Sequence, residues 1–486
     1  MKKLNQLFAI ILALTLTVSM SACSSVDDTS SDTGSTEYVT QYVDEDGNII
    51  QVDENGNPIT GDRETSGDAG TGSNSGNNGG NGGSSGGNGG SNGGNGGSGG
   101  TDASKYEGTT VTFATWKDPN LNEDKVAVDS FKKKYGIKVK IDMIDEEEYV
   151  NTLVGRIAAG NSPDVVFCNG TFPGVLQVLQ PIDAAKLDLT DDIWDQAFIK
   201  QAAVNGKKYL VNTIGNIWNE YDCLFYNKTI LKKAGCYTPE EYDKQGKWTW
   251  DALEQIMKQV DALGGRYVGG AISPETIAPS VGAQPIKYEN GKFTGNINAH
   301  TTEVYTRIAE WYDQGLASTG AYEFVQGNAG ICPTNAFGLK KTGYFAKSNH
   351  SEIAAYYLPD YNSSIKSQPT GLFRGWGIAK GAKNPEAAGI FIRHYLDVDN
   401  YDTDKAFINS EAERFFFMLT TGDSENKKYY FHSEQFDAVS GYDAFTKFSI
   451  NGIVSNKPEQ VAGLMEAEKN ALNNGVNNLN SFISKY

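Results

Sequence analysis

The chain has 486 residues, of which 39 % are apolar, so it is long enough for roughly two to four domains with a sizeable core. Its 42 Lys and Arg against 60 Asp and Glu give a formal net charge of −18, which argues against a nucleic acid partner because phosphate binding needs clustered cations. The four histidines are scattered along the chain, so we expect no metal and no other cofactor.

The N-terminus has the features of a secretory signal. Two lysines precede an apolar run, Leu7 to Val18, that is too short to span a hydrocarbon core of about 30 Å. The run leads to Met20-Ser21-Ala22-Cys23, which resembles a bacterial lipobox, although Met20 stands where Leu is more usual. We therefore predict a signal peptide over 1–22 and lipidation of Cys23; the alternative is an ordinary secretory signal with an incidental cysteine. The lipid would anchor the protein at the extracellular face of the bacterial cytoplasmic membrane.

A polar segment separates this anchor from the folded part. Residues 24–104 contain 13 acidic residues and one Arg, so much of the net charge lies here. Residues 66–100 are almost entirely Gly, Ser and Asn, with 18 Gly among 35 residues. Such a chain buries no apolar area. The sequence predicts an acidic disordered segment over 23–65 and a flexible linker over 66–104.

Strands and helices alternate from Thr109 onward. The apolar spacing predicts two strand–helix units and a third strand within about 60 residues, which is typical of a doubly wound α/β lobe. The predicted strands are Val111–Ala114, Ile137–Ile144 and Pro163–Phe167, and the helices are Leu121–Tyr135 and one that carries Tyr149, Leu153 and Ile157.

The same alternation recurs further along the chain. A strand at Cys223–Asn227 is followed by a helix for which Thr249 is the expected cap, and a strand at Trp376–Ala379 precedes a helix that we expect Asn384 to cap. One long helix is predicted over Pro458–Tyr486. Because about 380 residues exceed one lobe, we expect two α/β lobes facing a groove.

Four cysteines lie in this folded part. Each has apolar neighbours, which favours buried free thiols, and the sequence leaves open whether any of them pair. They are Cys168, Cys223, Cys236 and Cys332.

Three segments, in order, resemble one known family. They are Gly160–Val166, Tyr226–Gly235 with Trp248–Leu253 after it, and Gly377–Ala388. In these segments the chain is similar to the extracellular solute-binding proteins of ABC importers, specifically the sugar-binding, maltose-binding-protein-like family. The resemblance covers about residues 108–486.

The resemblance implies a two-lobed periplasmic-binding-protein-like (type II) α/β fold, with a ligand cleft between the lobes and several chain crossovers. It places a solute-binding domain at 105–486, with lobe 1 at about 108–218 and 375–430 and lobe 2 at about 222–372 and 435–486. Crossings are expected near 219–222, 374–376 and 430–440. It also implies a monomer that works with ABC transporter permease subunits and catalyses no reaction.

A sugar-binding site needs aromatic rings for the C–H faces and planar polar side chains for the hydroxyls. Such groups are expected at the carboxyl ends of strands. Trp116 and Asp118 follow the first strand, and Asn169 ends the third. Asp118 could also only start a turn, and Asn169 could be an ordinary loop residue.

Further candidates lie near the expected crossings. The resemblance points to Glu220 as a ligand-contacting acid, and Trp218 lies beside it, with hinge packing as the alternative. Arg374 and Trp376 are candidates because glycines beside Trp376 leave room for a ligand. In lobe 2, a turn that resembles a family segment precedes Asn335 and Phe337.

The leading hypothesis is a membrane-tethered receptor that captures a carbohydrate, an oligosaccharide, and delivers it to an importer. A secreted glycoside hydrolase is the first alternative, since the chain has abundant carboxylates and such enzymes need only two in the right place. The second is a protein of the same fold that binds peptides, polyamines or metal ions.

Overall fold

The computed structural model describes residues 103–117, 124–422, 428–430, 433–449 and 452–486, together with the backbone of 42–43 and 49–50. The predicted signal peptide, Cys23, Asp118 and most of the predicted linker lie outside the described residues. The chain divides into two units, 1–92 and 93–486. In the first unit, Tyr42–Val43 and Ile49–Ile50 form a short antiparallel ladder.

The second unit contains two larger sheets and two small ladders. Its strands are β1 Thr110–Thr115, β2 Lys138–Met143, β3 Val165–Asn169, β4 Leu179–Gln180, β5 Asp222–Asn227, β6 Val268–Ala271, β7 Ile286–Glu289, β8 Lys292–Gly295, β9 Ala317–Ser318, β10 Ala329–Asn335, β11 Ile353–Tyr356, β12 Thr370–Leu372, β13 Arg374–Ala379 and β14 Lys428–Tyr430.

Helices surround both sheets. They are α1 Asp124–Tyr135, α2 Tyr149–Ala158, α3 Gln196–Gln201, α4 Lys228–Ala234, α5 Pro239–Asp243, α6 Trp250–Asp261, α7 Pro274–Ser280, α8 Ala299–Asp313, α9 Tyr322–Val325, α10 Pro385–Tyr395, α11 Thr403–Ala406, α12 Ser410–Thr421, α13 Ser433–Ser440, α14 Ala444–Phe448 and α15 Pro458–Ile483. Short 3₁₀ helices lie at Ala103–Tyr106, Gly174–Gln177, Ile182–Ala185, Ala336–Leu339, His350–Glu352 and Val398–Asn400.

The first sheet has the strand order β2-β1-β3-β13-β4. Strand β1 pairs in parallel with β2 and β3, whereas β13 runs antiparallel to β3 and β4. Strand β13, which lies between β3 and β4, comes from about 200 residues further along the chain than β3. The carboxyl ends of β1 and β3 and the amino end of β13 meet at one edge.

The second sheet has the order β9-β6-β10-β5-β11. Strand β6 pairs in parallel with β9 and β10, and β5 runs antiparallel to both of its neighbours. The carboxyl ends of β6 and β10 therefore share an edge with the amino end of β5. Two mixed sheets with helices around them form the two-lobed α/β architecture expected from the sequence.

Two chain segments run side by side between the sheets. Tyr221 forms an antiparallel bridge with Gly371, and the Leu372 amide donates to the Glu220 carbonyl at 3.0 Å. A Cβ at Gly371 would lie 2.6 Å from the Tyr221 ring, so the close approach requires glycine. The first segment leads into β5 of the second sheet, and the other leads back into β13 of the first.

The elements that apolar spacing predicted are present in the structure, including α2, β3 and the long C-terminal helix α15. The two expected N-cap residues do not cap their helices as predicted. Thr249 and Asn384 occupy the N-cap positions of α6 and α10, but neither side chain makes a capping hydrogen bond. Asn384 is held instead by Asp164, whose carboxylate accepts from its amide at 2.9 Å.

The four cysteines in the folded part are free thiols. Cys168, Cys223 and Cys332 are buried, as expected, whereas Cys236 is only half-buried. Burial raises the pKa of Cys332 to about 12, so this thiol is protonated at neutral pH. Within the described ranges, no helix combines the length and apolar character needed to cross a membrane.

Candidate functional site

Three predicted residues lie at the shared edge of the first sheet. Trp116 directly follows β1, Asn169 ends β3, and Arg374 begins β13 opposite Asn169 in register. The Arg374 Nε donates to Asn169 Oδ1 at 2.7 Å. The half-buried Trp116 ring lies 4.9 Å from the Phe167 ring, centroid to centroid. The sheet register therefore brings these polar and aromatic side chains together.

Arg374 also forms a buried ion pair with Glu220. Arg374 Nη1 lies 2.7 Å from Glu220 Oε1, and the two side chains are only 2 % and 4 % exposed. The same Nη1 donates to the Trp218 carbonyl at 2.9 Å. Burial by itself would raise the pKa of Glu220, but the positive charges of Arg374, Lys117 and Lys340 outweigh it and hold that pKa below its ordinary value. Glu220 is thus ionised at neutral pH.

Lysine ammonium groups cover the aromatic rings beside this pair. Lys117 Nζ lies 4.7 Å from the Trp218 ring centroid and 4.5 Å from that of Phe337, and Lys340 Nζ lies 4.2 Å from Trp218. These distances are in the range of cation–π attraction. Burial, followed by the charge of Arg374, lowers the pKa of Lys117 to about 8. Since Lys117 follows β1 and Phe337 follows β10, this contact joins the edges of the two sheets.

The second sheet contributes Asn335 and Phe337. Asn335 Oδ1 accepts from the Phe337 amide at 3.0 Å, and its Nδ2 donates to the Tyr344 hydroxyl at 3.0 Å. The Phe337 and Tyr344 rings pack edge to face at 5.2 Å. Asn335 therefore fixes both aromatic side chains at the carboxyl end of β10.

Trp376 was selected as a ligand contact because of its flanking glycines, but the structure places it in the core. Its side chain is only 2 % exposed, and its ring lies 4.9 Å from that of Phe167. The flanking glycines do not open a path for a ligand. A Cβ at Gly375 would meet the Phe198 ring at 2.6 Å, and one at Gly377 would meet the Tyr209 carbonyl at 2.6 Å. The glycines admit packing partners, and Trp376 supports Phe167 from within the core.

A cavity of about 490 Å³ opens at the carboxyl ends of β6 and β10. This volume is in the range of small-molecule sites. Asn335 and Tyr344 belong to its wall, so the cavity adjoins the cluster around Lys117 and Phe337. Further polar side chains of its wall were not selected by the sequence reasoning; among them are Glu275, Gln284, Lys287, Glu289, Tyr305 and Lys428.

One of these missed residues had a usable signal. Glu275 follows Pro274 at the start of α7, four residues after the end of β6, and so stands after a strand like the candidates that were chosen. The others come from segments whose position depends on tertiary packing. Among the described residues, no group of three or more His, Cys, Asp or Glu side chains could hold a metal ion.

The sequence model of one protein family, the bacterial extracellular solute-binding proteins, matches residues 126–403 of this chain. That span is more than half of the chain. Among curated proteins, none matches this chain significantly.

Solved structures with the same fold cover most of this chain at low identity. An ABC substrate-binding protein from Listeria monocytogenes in complex with cycloalternan has 16 % identity and a TM-score of 0.52, covering 77 % of this chain and 99 % of its own. A cyclic α-maltosyl-1,6-maltose binding protein from Arthrobacter globiformis has 11 % identity and a TM-score of 0.55, covering 78 % and 100 %. An extracellular solute-binding protein from Staphylococcus aureus in complex with maltose has 16 % identity and a TM-score of 0.52, covering 77 % and 98 %.

The fold match reinforces the family match. At these identities the solved structures establish the two-lobed architecture, and the family model establishes descent. This chain belongs to the bacterial extracellular solute-binding proteins.

Proposed function

We propose that this protein captures a carbohydrate, an oligosaccharide, between its two lobes and delivers it to the permease subunits of an ABC importer. The observation that carries the proposal is the cavity of about 490 Å³ beside a cluster of aromatic and hydrogen-bonding side chains from both sheets. Amides, ionised groups and ring faces are the chemistry that sugars need. The structural neighbours named above include proteins solved with maltose and with cycloalternan.

Each candidate has a role in this proposal. Trp116 offers a ring face to the C–H face of a sugar, and Phe337, whose ring Lys117 covers, holds that ammonium group in place. Asn335 and Asn169 offer amide groups to hydroxyls, and Glu220 accepts hydrogen bonds from hydroxyls. Arg374 orients Glu220 and Asn169, Trp218 holds the lysines, and Trp376 supports the ring stack from below; Asp118 remains a candidate from its sequence position alone.

Lobe boundaries and cellular location belong to the proposal as well. We place lobe 1 at about 108–218 and 375–430 and lobe 2 at about 222–372 and 435–486; the division of most strands between the two larger sheets supports this proposal. Cleavage before Cys23 and lipidation of its thiol would tether a monomer to the outer face of the membrane through the 66–104 linker. Ligand would favour closure of the lobes because it contacts both.

Calorimetric titration and thermal unfolding test this function. The purified chain in detergent micelles is titrated with a panel of neutral and acidic oligosaccharides. A ligand that binds only the folded state raises the melting temperature. At a ligand concentration of a hundred times the dissociation constant, it adds about 2.7 kcal/mol to the free energy of unfolding. A panel of broad composition that leaves both signals unchanged would refute the carbohydrate assignment.

A pair of asparagine variants locates the site. Asn335 and Asn349 both cap a 3₁₀ helix in the same part of the fold, but only Asn335 belongs to the wall of the large cavity. Asn335→Ala should weaken sugar binding by about ten-fold, the loss of one hydrogen bond of roughly 1–1.5 kcal/mol, and Asn349→Ala should leave it unchanged. Equal effects would contradict the proposed site.

The hydrolase alternative is separated by product analysis. The ligand recovered after prolonged incubation with the protein should be chemically intact. Chromatography that shows shortened oligosaccharides would contradict a purely binding function.

A further inference from the structure

The cluster beside the cavity joins the carboxylate of Glu220 to three cations. Lys117, Lys340 and Arg374 all lie close enough to Glu220 to lower its pKa, and Arg374 Nη1 lies 2.7 Å from Glu220 Oε1. Lys117 Nζ lies over the Trp218 and Phe337 rings.

Lys117 is the partly exposed cation of this group, since Lys340 and Arg374 are buried. It follows β1 at the edge of the first sheet, and its Nζ lies close to the Trp218 and Phe337 rings. Among the described residues, no carboxylate lies within 4 Å of that Nζ, and Glu220, Asp124 and Glu146 act on it only over longer distances. A partly desolvated cation without a close anion is a favourable place for a negatively charged group.

A second donor points to the same chemistry. The indole Nε1 of Trp218 is buried and donates to no acceptor in the described part of the chain. Buried donors normally have an acceptor, and beside the partly exposed Lys117 a bound molecule can supply one. Lys117 Nζ and Trp218 Nε1 are both donors without acceptor capacity. A carboxylate is an acceptor without donor capacity, and it complements both.

The cavity beside this cluster is balanced in charge. Its wall carries the carboxylates Glu275 and Glu289 and the cations Lys287 and Lys428. The end at Asn335 and Tyr344 adjoins Phe337, and therefore Lys117. An anionic group is accommodated at this end and a neutral portion in the rest of the cavity.

We propose that the sugar ligand is acidic, a uronic-acid-containing oligosaccharide whose carboxylate is bound by Lys117 and the Trp218 indole. This inference rests on the proposed function, since it specifies the class of ligand for the same cleft. Ammonium groups cover the rings of Trp218 and Phe337, which therefore offer less to the C–H face of a neutral sugar, whereas a carboxylate binds those ammonium groups directly.

Matched pairs of sugars test the proposal by calorimetry on the whole chain. The pairs are trigalacturonate with α-1,4-galactotriose, and a glucuronate-substituted xylotriose with xylotriose. In at least one pair the acidic member should bind ten-fold or more tightly than its neutral counterpart. If a pair binds and its neutral member binds as tightly as its acidic member, the inference of an acidic ligand is overturned. The proposed carbohydrate function would then still hold. Absence of binding to all four sugars would count against both.

Three lysine variants assign the preference. Lys117→Met should abolish the preference for the acidic member, and Lys117→Arg should retain it because the charge is kept. Lys125→Met is the control, since Lys125 is exposed and already pairs with a carboxylate, Asp129. Melting temperatures of the variants without ligand verify that each is folded. An acidic preference that survives Lys117→Met in folded protein would refute the role of Lys117.

Discussion

The buried ion pair offers the sharpest test of how this site is held together. The substitution Glu220→Gln preserves the size and shape of the side chain and removes only its charge. Arg374 Nη1 then faces an amide in an environment where both side chains are less than 5 % exposed. Lys117 and Lys340, which the carboxylate partly compensates, lose that compensation as well.

The magnitude follows from the burial of the pair. Removing one partner of a buried ion pair leaves an uncompensated charge and typically costs about 3–5 kcal/mol. Because three cations depend on this one carboxylate, we expect Glu220→Gln to fall within that range. Replacing both partners, as in Glu220→Gln with Arg374→Met, removes the uncompensated guanidinium, so the double variant should be more stable than Glu220→Gln alone.

Urea unfolding followed by tryptophan fluorescence measures these differences. Asp129→Asn is the matched control, because Lys125 and Asp129 form an exposed pair one helical turn apart, worth about 0.5 kcal/mol or less. A loss below about 1 kcal/mol for Glu220→Gln, or a double variant less stable than the single one, would refute the account of the pair as the electrostatic centre of the site.

Three further outcomes are expected. The pKa of Lys117 is lowered to about 8, so between pH 8 and 10 the unfolded chain binds a proton that the folded chain has lost. The stability of the wild type relative to Lys117→Met should therefore rise over this range in paired urea titrations. A difference that does not change with pH would contradict this prediction. Gly375→Ala should lower the free energy of unfolding by about 1–3 kcal/mol, because its Cβ would lie 2.6 Å from the Phe198 ring. Gly155→Ala, on the exposed face of α2, should raise the free energy of unfolding by about 0.5–1 kcal/mol. Similar effects of the two substitutions would contradict the packing argument. Burial lowers the pKa of His394 to about 4, so the wild type should lose stability relative to His394→Gln as pH falls from 6.5 to 4, and thermal melts in which the difference stays constant would disprove this assignment.

Much of the local structure was predictable because burial imposes a period on the sequence. The spacing of Tyr149, Leu153 and Ile157 predicted a helix, and the structure has α2 at Tyr149–Ala158. The continuous apolar run before Asn169 predicted a buried strand, which is β3. The caps at Thr249 and Asn384 were wrong in detail because long-range packing, such as the Asp164 contact, competes with local capping.

The site was only partly predictable. Strand ends indicated Trp116 and Asn169, and the glycine-flanked segment around Trp376 indicated Arg374. The register of β3 with β13 brings Arg374 Nε to 2.7 Å from Asn169 Oδ1. No local pattern indicates that Lys117 reaches the Phe337 ring, since the two lie 220 positions apart. The glycines beside Trp376 were assigned to ligand access, but they accommodate protein packing; sequence shows that space is needed, not what occupies it.

The paired segments between the sheets have a consequence for how affinity can evolve. Trp218 and Glu220 lie on one segment, Arg374 immediately follows the other, and the two are bridged at Tyr221 and Gly371. A rotation of one sheet against the other would bend these two segments. A substitution in them is therefore expected to change both the ligand affinity and the free energy of lobe opening, because the same residues contribute to both.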